Sequence, residues 1–104
     1  MVKHMSPGGY DYDTAEIRRE ARKIKRCCDC IAQSAIPEAE KTRQILDGNF
    51  EGQAAEALDA RLVSLTKDIG LLRNNLSSVY TALMRFADEL ERRDAELARI
   101  MGGK

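Results

Sequence analysis

The chain has 104 residues, and its 17 lysines and arginines balance 17 aspartates and glutamates, so the formal net charge is zero. That length supports one domain, and the neutral balance gives no global pull toward nucleic acid or an anionic membrane. Two prolines, three tyrosines, two phenylalanines and a charged third of the chain suit a helical bundle better than a β-fold.

Residues 1–12 lack periodicity and are expected to form a flexible tail. Met1 to Gly9 has no apolar core like that of a signal peptide, so export, if it occurs, is expected to use a route without a cleaved signal. The helical domain is predicted over 13–101. Asp13, with Glu16 three residues on, is a plausible N-cap for a first helix over about 14–46. Its apolar positions step by four and three through Ile17, Ala21, Ile24, Cys28 and Ile31, then Ala35, Glu38, Thr42 and Ile45. Such a repeat keeps one narrow stripe on one side of a helix, the pattern of a packed seam. Pro37 lacks the N–H that the helical ladder needs, so a kink or short break is expected near Ile36. Beyond it the seam weakens, with Glu38 and Thr42 in core register.

A turn is predicted over 47–52, with Asn49 capping a second helix over about 53–101; Gly102 and Gly103 stop it, leaving a short tail over 102–104. The same steps recur downstream at Leu58, Leu62, Leu65, Ile69, Leu72, Leu76, Val79, Leu83, Phe86, Leu90, Arg93, Leu97 and Ile100. At roughly 1.5 Å per residue the helices are about 50 and 73 Å long. Folded about the turn, Ile17 lies near Leu83, and the segment from Phe86 to Ile100 overhangs with apolar residues to cover. A second flank, with Gly70, Ser77, Tyr80, Met84 and Ala87 on helix two and Ala32, Ile36 and Ala39 on helix one, offers room for another helix. One seam seldom outweighs the ordering entropy of so long a chain. The expected fold is therefore all-α: an antiparallel two-helix hairpin that pairs into a four-helix bundle. Tyr80, Met84, Phe86, Leu90, Leu97 and Ile100 are the expected partner-binding residues.

Chemistry beyond binding finds little footing. The only histidine, His4, lies in the tail, and there is no Gly-rich phosphate loop or Gly-x-Ser-x-Gly elbow, so no catalytic residue and no cofactor are expected. Cys27, Cys28 and Cys30 sit within four residues on a helix; Cys28 falls in the seam as a small hydrophobe, and three thiols fall short of a four-ligand metal site. Six basic side chains between Ile17 and Arg26 are spread around the helix without an aromatic stacking platform, which argues against nucleic acid. The acidic stretch from Asp88 to Glu96 could pair with that basic segment on a neighbouring chain. No run approaches the roughly 18 apolar residues that span a bilayer, so membrane insertion is not expected.

The motif Phe50-Glu51-Gly52, mid-chain and followed by Ala54-Ala55-Glu56-Ala57-Leu58, resembles the Trp-x-Gly turn of the WXG family, the early-secreted-antigen-like substrates of type VII (ESX) secretion. The resemblance spans Asp13 to Met101 in length and layout. It implies a helical hairpin pairing, as homodimer or heterodimer, with another hairpin protein or with the hairpin-like N-terminal domain of a toxin. It also implies residence in the bacterial cytoplasm before export without a cleaved signal peptide, engagement of the secretion machinery, and an aromatic at Phe50 contributing to a bipartite export signal. Phe50 stands where the family has Trp, losing the indole N–H but keeping a flat apolar ring. The family's C-terminal Tyr-x-x-x-Asp/Glu signal has no counterpart: Tyr80 is followed by Met84 and Phe86 by Leu90, and only Tyr12 with Glu16 has the spacing. That combination implies a substrate whose signal a partner completes, or a targeting chaperone for a toxin. A self-associating coiled-coil scaffold unrelated to secretion is the alternative.

Overall fold

Pro37 has no N–H to donate to the carbonyl of Gln33, and its ring would crowd that oxygen in a regular helix. In the computed structural model of the chain the helix nonetheless runs on. The backbone stays right-handed at Cys30, Ala35 and Ile36, and the proline is accommodated by a π-helical turn just before it, Ile31–Ala35, in which the Ile36 N–H donates to the Ile31 carbonyl. The expected break near Ile36 is thus one widened turn. This turn separates α1 (Thr14–Cys30) from α2 (Ile36–Asn49); α3 spans Gln53–Met101. From Thr14 to Met101 the fold is all-α, and none of these helices is long and apolar enough to cross a membrane.

Described are the backbone of residues 4, 5, 11 and 12 and the whole of residues 13–102. The rest of the tails expected over 1–12 and 102–104 lies outside the described residues. Within the first segment two minimal strands, β1 (His4–Met5) and β2 (Asp11–Tyr12), pair antiparallel, His4 opposite Tyr12 and Met5 opposite Asp11. Backbone groups hold such a ladder, so side-chain periodicity gives no sign of it.

A π turn absorbs one extra residue and shifts the phase of the helix after it. Up to Ile31 the half-buried positions are the expected ones: Ile17, Ile24, Cys28 and Ile31, with Ala21 fully buried. Past the π turn each inward position moves on by one, from Ala35 to Ile36, Glu38 to Ala39, Thr42 to Arg43 and Ile45 to Leu46. The slip takes a carboxylate and a hydroxyl out of the seam and leaves Ala35, Glu38, Thr42 and Ile45 exposed.

The seam of α3 also differs from the expected one. Leu62, Ile69, Leu76, Leu83 and Leu90 are half-buried as predicted, with Ala55 on the same line, but the stripe is completed on its other flank by Asp59, Thr66, Arg73, Tyr80 and Ala87. Leu58, Leu65, Leu72, Val79, Phe86, Arg93, Leu97 and Ile100, expected in the seam, are exposed.

The connection is shorter than predicted. The first helical stretch runs to Asn49, three residues beyond Leu46, and only Phe50, Glu51 and Gly52 remain between helices. Asn49 does not cap α3. Its Nδ2 donates to the Ile45 carbonyl at 2.7 Å, occupying one of the orphan acceptors at the end of α2. Gly52 starts α3 by accepting the Glu56 N–H on its carbonyl at 3.0 Å, with φ at +102°. An added Cβ there would touch nothing, so glycine is required by the dihedral and not by crowding.

Two compact units divide the chain: Met1–Ile24 with Ser78–Lys104, and Lys25–Ser77. In the first, Asp13 caps α1 by accepting the Glu16 N–H at 3.2 Å, and among the described residues Thr14, Ala21 and Ala87 are fully buried. Thr14 donates to Glu91, and Arg18 donates to Asp88 and Glu91, so the two segments of this unit run in opposite directions. Ile17 and Leu83 share a groove with Asp13, Glu16 and Glu20. The reach of Arg18 carries the pairing two turns past Leu83, so it does not end at Phe86. In the unit Lys25–Ser77 the Cys28 thiol approaches the Arg73 carbonyl at 3.4 Å and Arg43 bonds Asp59, again antiparallel. No residue of this second unit is fully buried.

Gly70, inside α3, would also meet nothing with an added Cβ. Gly70→Ala is expected to stabilise the fold by about 1 kcal/mol, and Gly52→Ala to destabilise it by more than about 1 kcal/mol, because only the second must hold a positive φ. Urea unfolding followed by circular dichroism reads both, and equal shifts of the same sign would contradict the turn geometry.

Candidate protein-interaction surface

The charges that accompany the seam lie on one flank of α3. In the unit Lys25–Ser77, Arg43 Nε and Nη2 donate to the two carboxylate oxygens of Asp59 at 2.9 and 3.4 Å. The hydrogen bond from Arg43 holds the Asp59 carboxyl below its ordinary value and raises that of the guanidinium. In the unit formed by Met1–Ile24 with Ser78–Lys104, Arg18 is shared between Asp88 and Glu91, which push its value up through hydrogen bonds. Arg92 bonds Glu89 and Glu96 within α3, and the Arg92 hydrogen bond lowers the Glu89 carboxyl. Carboxylates of the stretch from Asp88 to Glu96 therefore find arginines inside the chain, where the sequence suggested a basic segment of a neighbour.

With the contacts of Arg43 and Arg18 on one flank, the other flank of α3 presents its apolar residues outward. In the unit Lys25–Ser77 it presents Leu58, Leu65 and Leu72, 46%, 50% and 51% exposed, one heptad apart, with Leu71 beside them. Each forgoes on the order of 1 kcal/mol of burial. A unit that buries nothing completely and leaves three aligned leucines half wet has apolar surface suited to a partner.

The unit formed by Met1–Ile24 with Ser78–Lys104 divides the expected partner-binding set. Tyr80, Met84 and Leu90 are half-buried and sit on the seam side, while Phe86, Leu97 and Ile100 are exposed. Gly70, Ile36 and Ala39, expected on the flank offered to another helix, are likewise half-buried, in the unit Lys25–Ser77. Sequence reasoning missed the open role of Leu58, Leu65 and Leu72 because a leucine line can be completed from either side. The signal that separates the sides is charge: Asp59, Asp88 and Glu91 follow the flank that the first helical stretch occupies.

At the turn, Phe50 is 58% exposed and does not plug the connection. It lines an open cleft of about 610 Å³ with Leu46, Ala55, Asp47, Glu51 and Glu56. Cys27 and Cys30 are exposed and Cys28 is half-buried, all as free thiols. Among the described residues no three His, Cys, Asp or Glu side chains gather as a metal site. The surface therefore offers apolar and aromatic contact. Comparison with known protein families, characterised proteins and solved structures finds no match.

Neighbours in sequence should respond oppositely. Phe86→Ser, on the open flank, is expected to change folding stability by less than about 0.5 kcal/mol, and Ala87→Leu, fully buried, to cost about 1–3 kcal/mol by overpacking. Acid should act through Asp59. A carboxyl whose value is lower folded than unfolded stabilises fully above its unfolded value of about 3.9, and loses that contribution as pH falls through the folded value. Asp59→Asn is expected to lower the melting temperature at pH 7 and to flatten its decline between about pH 5 and pH 2. An unchanged decline would mean that the Arg43 contact does not persist in solution.

Proposed function

We infer that the chain acts by binding, as a small helical hairpin protein of WXG-like type in type VII secretion. It serves as a substrate exported with a partner, or as the targeting partner of a larger effector or toxin. Both helical stretches fold about the Phe50–Gly52 turn, and the hairpin pairs with another helical hairpin to complete a four-helix bundle. It resides in the bacterial cytoplasm until export.

One observation carries this reading: the aromatic of Phe50-Glu51-Gly52 stands exposed at a three-residue turn between helices. An outward aromatic is what a surface export signal needs, and the open leucine flank of α3 is what a second hairpin needs. Two opposed helices with one apolar seam leave such a flank without cover, and helix-on-helix burial is the economical way to close it. The exposed Phe86, Leu97 and Ile100 extend the contact toward the end of α3. A self-associating scaffold would use the same flank, but would have no need of an exposed aromatic at the turn.

Expression in a bacterium with a type VII system, with and without its secretion ATPase, tests the role. The chain, or a hairpin-domain effector co-expressed with it, is expected in the culture supernatant only when the ATPase is present. Phe50→Ala should reduce export at least about tenfold while helicity stays unchanged, since removing an exposed ring costs the fold little. Equal release from the ATPase-deficient strain, or full export of the Phe50→Ala chain, would reject the assignment.

A further inference from the structure

The open flank of α3 in the unit Lys25–Ser77 has an internal symmetry. Leu58, Leu65 and Leu72 occupy one heptad position, and Arg61 and Asp68 occupy the position three residues after the first two of them. Read from Leu58 toward Leu72, the order is leucine, cation, leucine, anion, leucine. Reversing the direction leaves the leucines in place and exchanges the charges. A surface of this kind is complementary to itself when two copies meet antiparallel, because a two-fold axis turns every contact between i and j into a second contact between j and i.

We propose that this flank is an interface with a second copy of the chain, with the two-fold axis passing beside Leu65. Leu65 then meets Leu65 of the second copy, Leu58 meets Leu72, and Arg61 lies opposite Asp68, each of the last two contacts occurring twice. The charges are free for this role: among the described residues neither Arg61 nor Asp68 forms an ion pair, whereas Asp59, on the occupied flank, already holds Arg43. In parallel, in-register docking Arg61 and Asp68 lie seven residues apart in level, so neither opposite-charge pair forms. The unit itself supplies the drive, since none of its residues is fully buried and these three leucines stand about half exposed in one line.

The inference rests on the reading that the chain pairs with a helical hairpin, and adds that the hairpin is its own. Purified wild-type chain is expected to sediment at twice 11.6 kDa at micromolar concentration. Arg61→Asp and Asp68→Arg, both at exposed positions, should each weaken the dimer at least about tenfold with helicity retained, because each places two like-charged pairs across the axis. The double variant restores both pairs and should return to within about threefold of wild type. Mixing the two single variants should give a heterodimer, since the two carboxylates on the flank of one chain then face the two guanidinium groups on the flank of the other.

A wild-type monomer at 100 µM would overturn the proposal. So would a dimer indifferent to the single reversals, or one that the double variant fails to restore. A wild-type monomer that still binds a hairpin-domain effector would remove the self-pairing and leave the secretion role standing. A dimer with the charge-reversal pattern whose release ignores the ATPase would do the opposite.

Discussion

A helix with leucine or isoleucine every seven residues can complete a packing stripe on either of two flanks, and in α3 the carboxylates that bond arginines of the first helical stretch occur beside one of them. Leu62, Ile69, Leu76, Leu83 and Leu90 are common to both stripes. Asp59, Asp88 and Glu91 accompany the flank where Arg43 and Arg18 bond them. Exposed ion pairs of this kind contribute little stability, in the range of about 0–1 kcal/mol. They mark the flank that the first helical stretch covers. The richer flank in leucine is then the one left outside, and the protein's capacity to bind follows from that.

Pro37 acts on the same choice from the opposite helix. Without the π turn, Glu38 and Thr42 would point into the seam and Arg43 would not. The one-residue slip replaces them with Ala39 and Arg43, and Arg43 reaches Asp59. A missing N–H thus does more than bend a helix. It sets which face of α2 is turned inward. The same unit still buries no residue completely, so its order depends on half-buried contacts and on whatever covers Leu58, Leu65 and Leu72.

The connection serves both fold and proposed role. Glycine at 52 permits a positive φ that reverses the chain in three residues, and Phe50, on extended backbone beside it, stands 58% exposed. An aromatic held outward on a short, sterically defined turn is presented in a restricted set of positions, which favours recognition by lowering the entropy lost on contact.

Much of the architecture was legible in the chain alone. The heptad spacing marked long helices, Asp13 marked the start of α1, Gly102 marked the end of α3, and the motif Phe50-Glu51-Gly52 marked the connection. These features are local, and local geometry determines them. The inward flank of α3, the phase of α2 and the fate of Asn49 were decided only in the tertiary structure. A four-three repeat defines a line of residues but not which neighbours complete it. That is settled when a second helix brings its arginines, and a π turn its extra residue, to one side of the line.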